Sequence, residues 1–414
     1  MDSSLRKAKN ILVKYNQEHL LQFYNSLNDS EKNILVNQIL NIDFEKILDL
    51  YNNSKIYNKC SIGMISPLKH INKSKISKDD YNKYVTIGEN FIQKSRFAVV
   101  TMAGGQGTRL GIKGPKGTFE LDILPKKSLF EIICDKLKNA NLKYNISIPW
   151  YIMTSTQNHE KTVNFFEERN YFDYGKNNVI FFKQSNLPLI DLDGKLILAE
   201  PYLINEGSNG NGDVFKAMKN NNIISDMKSK DIELVFFSGV DNVLLKPVDP
   251  LFIGLTLYNN KEIAAKTIFK ENANSKDWVF ARKNNKPGII NCSDFVEEIT
   301  ELKDENGDYL YRELNILEHL FTIKAIEKVS NVELPYHLAF RKNPFVNYEG
   351  MKQVPESPNT YKFETFIFDA FNYFDDIQLL RVDDEEEFSP IKSFNGKYNP
   401  ERAKIMYKKC YNVW

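Results

Sequence analysis

The chain has 414 residues, too many for one simple core and enough for two or three lobes with a large buried interior. Its 55 Lys plus Arg stand against 54 Asp plus Glu, a near-neutral balance that speaks against a nucleic-acid or membrane-surface partner and makes any attraction for anions local. No apolar run approaches the roughly 20 residues a membrane helix needs, and the opening Met1-Asp-Ser-Ser-Leu-Arg-Lys7 lacks the apolar stretch of a secretory signal. Cys60, Cys134, Cys292 and Cys410 are scattered without paired spacing, and His19, His70, His159, His319 and His337 form no ligand pair at helical spacing. A transition-metal enzyme is therefore not expected, and reduced thiols in a cytoplasmic protein are.

In chain order, apolar positions recur at three and four up to about Asn58: Ile11, Leu12 and Tyr15, then Leu20, Leu21 and Tyr24, then Ile34, Leu35, Ile39 and Leu40. They predict packed helices, the third opened by a capping box of Asn28 and Glu31. From Lys59 to about Gln93 the pattern weakens into polar connections, and a lobe boundary is expected there. Beyond Ser95 short apolar strands alternate with helices, the grammar of an α/β fold with a mostly parallel sheet covered on both faces. Strands are predicted over Arg96–Met102, Trp150–Thr154, Val179–Phe182 and Glu233–Ser238, and a helix opens at Ser128 with a second capping box at Glu131 and Phe130, Ile133 and Leu137 on one side. Ligands of such sheets sit outside the carboxyl ends of the strands, which here are followed by Gly104, Gln184 and Asp241. The acidic run Asp383–Glu387 is expected to be a solvated surface segment. The expected division is 1–93, 94–346 and 347–414.

The chemistry concentrates in Ala98-Val-Val-Thr-Met-Ala-Gly-Gly-Gln-Gly-Thr-Arg-Leu-Gly-Ile-Lys-Gly-Pro-Lys116. A buried strand gives way to glycines that can turn sharply and approach a ligand, and then to Arg109 and Lys116. Free backbone N–H groups with nearby cations suit phosphate. A Walker loop is excluded, because Lys116-Gly117-Thr118 has the reversed order and no Gly-Lys pair precedes Ser or Thr. The dinucleotide fingerprint fails as well, with Leu110 where its third glycine belongs. A plain surface turn is the remaining alternative, and it seldom gathers so many glycines and cations behind a buried strand.

The run Gly104-Gly-Gln-Gly-Thr-Arg-Leu-Gly111 followed by Pro115-Lys-Gly117 resembles the signature of the UDP-sugar pyrophosphorylase family, and most closely its N-acetylhexosamine-using branch. The likeness extends from Glu18-His-Leu-Leu-Gln-Phe-Tyr24 to Glu387-Phe-Ser-Pro-Ile-Lys392. It implies a Rossmann-like nucleotidyltransferase core at 94–346 between a helical N-terminal lobe and a small C-terminal lobe. It further implies that Arg109, Lys116 and Lys392 serve the phosphates, that Ala103, Gly104 and Gly105 hold the nucleotide by their backbone, and that Gln184 reads uracil. Asp241 stands where the family keeps its Mg²⁺ ligand; read without the resemblance it is equally an aspartate capping the next turn. In Asn209-Gly-Asn-Gly-Asp213, otherwise an ordinary turn signal, Gly210 and Asn211 match the sugar-side loop. Asn211 replaces the His of glucose-specific relatives and could bond both polar groups of an acetamide. Asn315, Phe366 and Phe368 match sugar-side positions, although a Phe pair at period two is also what a core strand would show. Lys342 is a weaker phosphate candidate.

Two departures touch the sugar. Asn291 stands where ungapped counting puts the family's sugar-hydroxyl glutamate, and Arg312-Glu-Leu314 replaces small residues before Asn315. The resemblance implies a Mg²⁺-dependent transferase joining UTP to N-acetylglucosamine-1-phosphate with release of pyrophosphate. A sugar-1-phosphate is already close to doubly charged at neutral pH, its second ionisation lying near about 6, so no general base is needed. Positioning and charge neutralisation suffice, which accommodates a sequence without triad or nucleophile. The alternatives are the same reaction on glucose- or galactose-1-phosphate, and a non-catalytic protein that binds a nucleotide sugar.

Overall fold

Apolar runs bounded by polar turns supply the strands of a large sheet. In a computed structural model of the protein, residues 3–55, 64–269, 278–291, 301–305 and 307–411 are described. Cys60, Cys292 and the expected boundary at Lys59 lie outside them. The chain forms two compact units, one of residues 1–60, 185–212 and 334–366, the other of 61–184, 213–333 and 367–414.

The second unit holds the sheet. Its main path uses β1 (Ile71–Asn72), β2 (Phe97–Met102), β3 (Trp150–Thr154), β4 (Val179–Lys183), β5 (Leu234–Gly239), β6 (Ile263–Phe269), β7 (Glu313–Thr322) and β8 (Gln378–Arg381), in the order β1-β8-β6-β7-β5-β2-β3-β4. Three further strands, Ile65–Ser66, Trp278–Lys283 and Lys286–Asn291, extend it beside β7. Only β7 runs against its neighbours on this path, so the sheet is mixed and mostly parallel, as the alternating pattern predicts. Every residue of β2 and β3 is buried, which continuous apolar runs require of strands covered on both faces. Helix Leu129–Tyr144 starts where predicted: Ser128 accepts from the Glu131 N–H, and Phe130, Ile133 and Leu137 are buried.

Sequence and structure part at two places in this unit. Lys78–Ile92, within the stretch read as polar connections, is a helix capped by Ser77. It buries only Gly88, Phe91 and Ile92, too few apolar residues to make a clear stripe. The acidic run is also more than a solvated face, because Asp383 caps the short helix Asp384–Glu387 and Glu387 is fully buried.

The first unit packs helices Ser3–Lys14, Asp29–Asn41 and Phe44–Lys55 around Leu12, Leu35, Ile39 and Phe44 together with Ile190 and Phe363. The Asn28–Glu31 capping box is complete, each side chain bonded to the other's backbone N–H at 3.0 Å. Its strands include the sheet His337–Arg341, Thr360–Glu364 and Ile190–Asp191. Among the described residues no helix is long and apolar enough to cross a membrane.

Candidate active site

The carboxyl end of β2 leads into the glycine loop. Ala103 N–H donates to Met153 O, Lys116 N–H reaches back to Gly105 O at 3.0 Å, and Gln106 bridges Pro115, which closes the loop into a cradle. Gln184 follows β4 and is tied to Thr154 O by its own N–H. It is buried, and its Oε1 has no hydrogen-bond partner among the described residues. A buried amide oxygen left so is costly unless a ligand donates to it. At Gly104 a side chain would displace Gln184 or the loop, because a Cβ there would lie 1.9 Å from Gln184 Nε2. The structure thus brings Ala103, Gly104 and Gln184 together.

Asp241 follows β5, and its Oδ2 accepts from Lys116 Nζ at 2.7 Å. Burial pushes the Asp241 carboxyl up, but the Lys116 ammonium and then Lys392 more than offset it, leaving it below the ordinary carboxylate range. It is therefore an ionised, hard oxygen donor. Lys392 is exposed, its backbone held by Tyr398 O and its ammonium 5.2 Å from the Tyr398 ring centre. The segment carrying it is joined to the Asp241 loop, with Ile391 N–H donating to Asp241 O at 2.9 Å and Asn242 bridging Pro390. Arg109, on the short turn Thr108–Leu110, is exposed.

The remaining predicted residues fall into two groups. In the first unit Gly210 and Asn211 sit in a loop clamped onto Thr365 and Phe366: Thr365 N–H donates to Asn209 O at 2.8 Å and Gly212 N–H to Thr365 O at 2.9 Å. Gly210 has φ +88, and a Cβ on it would lie 2.3 Å from Thr365 O. Phe366 lies past the end of strand Thr360–Glu364, its ring 4.7 Å from that of His337, so the Phe pair is not strand-borne. Lys342, also in this unit, is exposed.

In the second unit Phe368 is buried in the 3₁₀ segment Ile367–Tyr373, and its ring lies 5.0 Å from that of Trp278, the register partner of Asn291. Asn315 sits on β7, where its Oδ1 accepts from Leu317 N–H at 3.0 Å and from His319 Nε2 at 2.9 Å. This holds Leu317 at φ +61 in a bulge of β7 opposite Lys266.

A family model described as UTP–glucose-1-phosphate uridylyltransferase matches residues 42–399. The chain belongs to that family. It is 36% identical over 345 residues to UDP-N-acetylglucosamine pyrophosphorylase of Saccharomyces cerevisiae, covering 80% of this chain and 72% of the relative. It is 32% identical over 426 residues to UDP-N-acetylglucosamine diphosphorylase 2 of Arabidopsis thaliana, covering 97% and 83%. The solved structure of the Trypanosoma brucei uridine diphosphate N-acetylglucosamine pyrophosphorylase in complex with inhibitor superposes with a TM-score of 0.82 at 26% identity, covering 98% of this chain and 84% of that one.

Within this uridylyltransferase scaffold the structure adds a residue that sequence reasoning missed. Asn158 is fully buried and its Nδ2 donates to Ala103 O at 2.9 Å and Gly105 O at 3.3 Å, while its Oδ1 accepts from Ser155 N–H at 2.8 Å. It fixes the glycine loop from the neighbouring strand end. Its position just after β3, the same switch from strand to loop that drew attention to Gly104 and Gln184, is the signal that could have found it.

Proposed function

We propose that the chain catalyses the reaction of UTP with N-acetylglucosamine-1-phosphate to give UDP-N-acetylglucosamine and pyrophosphate. The observation that carries this reading is the Lys116–Asp241 pair, with Nζ and Oδ2 2.7 Å apart, on the unit that also carries the buried Gln184 Oε1, unpaired among the described residues. A phosphate oxygen of the sugar attacks the α-phosphorus in line as the bond to the departing pyrophosphate breaks. Arg109 and Lys116 hold the triphosphate, Lys392 binds phosphate charge, and Gln184 pairs with uracil by accepting at Oε1 and donating from Nε2. Asp241 offers one ionised carboxylate, which fits Mg²⁺, a cation that takes one or two carboxylates and completes its shell with phosphate and water. Bound there, the ion would neutralise phosphate charge. The family resemblance gives sugar roles to Gly210, Asn211 and Phe366 of the first unit and to Asn291, Asn315 and Phe368 of the second, with Asn211 favouring an acetamido group.

The test is pyrophosphate release from UTP and Mg²⁺ with N-acetylglucosamine-, N-acetylgalactosamine- and glucose-1-phosphate run side by side. Acetamido sugars should lead, and Lys116→Ala should lower turnover by about two orders of magnitude, the scale of losing one charge-stabilising donor. Undiminished turnover of Lys116→Ala would remove that residue from the chemistry. A lead for glucose-1-phosphate would leave the reaction and change the sugar, and Asn291 is the residue that makes this second reading worth measuring.

A further inference from the structure

Behind the Asp241 loop lies a buried group of charges that the reaction above does not touch. Lys266 is fully buried, with Nζ 2.6 Å from Glu387 Oε2, 2.8 Å from Asp249 Oδ2 and 3.7 Å from Glu318 Oε2. Glu387 also meets Lys73 at 2.7 Å and Lys246 at 3.2 Å. Lys73, Lys246 and Lys266 thus surround the Glu387 carboxylate, with Asp249 and the Glu318 carboxyl also facing Lys266. Such an assembly is an inefficient stabiliser, because removing the ions from water offsets much of their attraction and apolar side chains of like volume often do as well. Its yield is fixed geometry, and that geometry converges on one amide. Asn242 Nδ2 donates to Glu318 Oε1 at 2.8 Å and to Glu387 O at 2.7 Å. Its Oδ1 accepts from Ser389 N–H at 2.8 Å and Leu244 N–H at 3.2 Å. Asn242 is the neighbour of Asp241, and Ser389 begins the three-residue approach to Lys392.

We propose that Lys266, Glu387 and Asn242 are positioning residues that set the spacing of the Asp241 carboxylate and the Lys392 ammonium. The inference rests on the uridylyl-transfer reading and adds residues to it. Lys266 holds Glu387 in place, the Glu387 carbonyl and the Glu318 carboxyl Oε1 hold Asn242, and Asn242 with the Ile391–Asp241 bond holds the two segments in register. None of the three needs to touch a substrate. Gln184 and the glycine loop are tied down separately by Thr154 and Asn158, so nucleotide grip and phosphate chemistry are separable.

The experiment compares Asn242→Ala and the charge-balanced double variant Lys266→Met with Glu387→Gln against the wild-type chain. Three assays are run: pyrophosphate release for kcat and KM, calorimetry for the Kd of UDP-N-acetylglucosamine, and the melting curve. With a cooperative melt retained, kcat should fall about 10- to 100-fold, the usual effect of removing supporting partners, while the UTP KM stays within about threefold. A folded variant with wild-type kcat overturns the proposal, as does a loss of kcat matched by an equal loss of UDP-sugar affinity, which a merely structural role would give. Should the buried double variant not fold, Asn242→Ala decides alone, since it removes no charge. A wild-type chain that releases no pyrophosphate with any sugar-1-phosphate overturns the underlying reading itself, an outcome distinct from wild-type turnover in a variant.

Discussion

At the scale of one residue, Gly104 sets how closely the glycine loop can approach the Gln184 amide. An added methyl would come within 1.9 Å of Gln184 Nε2, so either the amide turns away or the loop lifts. For Gly104→Ala the KM for UTP should rise at least about 10-fold, and discrimination against CTP should weaken, because a recognition amide without its aim leaves polar edges unpaired. Pyrophosphate release with the two nucleotides measures both. An unaltered preference for UTP would separate Gln184 from base reading. That a glycine follows one buried strand and a polar residue follows another was legible in the sequence, since both are local signals. Asn158, which steadies the glycine loop, gave a weaker signal: its position after β3 marks it, but an asparagine there looks the same whether it caps a turn or binds another loop's carbonyls.

At the scale of an element, β7 shows what pattern reading can and cannot reach. Its bulge holds Leu317 at φ +61, a conformation that leucine adopts only under constraint. Nothing in Glu313-Leu-Asn-Ile-Leu-Glu-His-Leu320 announces it. The strands flanking the glycine loop were legible because they are uniformly apolar; β7 was not, because buried charge breaks its alternation. Glu318 is one such break. Burial pushes its carboxyl up to about 7, against the nearby Lys266. The folded chain then keeps this proton up to about pH 7 while the unfolded chain releases it near the ordinary 4.5, so the folded form binds more protons between these values. Stability must fall as pH rises through that window. Glu318→Gln, which keeps the shape and cannot ionise, should therefore flatten the decline, losing less stability than wild type between pH 5 and 8 in urea melts. A wild-type curve without that decline, or a variant that shares it fully, would contradict the assignment. The acidic run misled for a related reason: charge counting cannot tell that Glu387 alone turns inward toward three lysines.

For the whole molecule, the sequence announced an α/β protein with a helical start but carried no sign of which distant segments join in one unit. Hydrophobic periodicity reports faces, not partners. Ligand linkage is testable on this scale. UDP-N-acetylglucosamine at one hundred times its Kd should stabilise the folded chain by about 2.7 kcal/mol by mass action, visible as a rise in Tm, whereas UDP-glucose at the same concentration should raise it less. Equal shifts would deny Asn211 any part in choosing the sugar.

The interleaving of the two units also sets a timetable for synthesis. The chain passes from one unit to the other after residues 60, 184, 212, 333 and 366. The helices of residues 3–55 draw part of their core from Ile190 and Phe363, so on the ribosome they must wait, incompletely covered, until translation has passed Phe363. Neither unit can be finished before the other is well advanced. Translation errors or pauses shortly before Phe363 therefore endanger the helices of residues 3–55 as much as the segment being made.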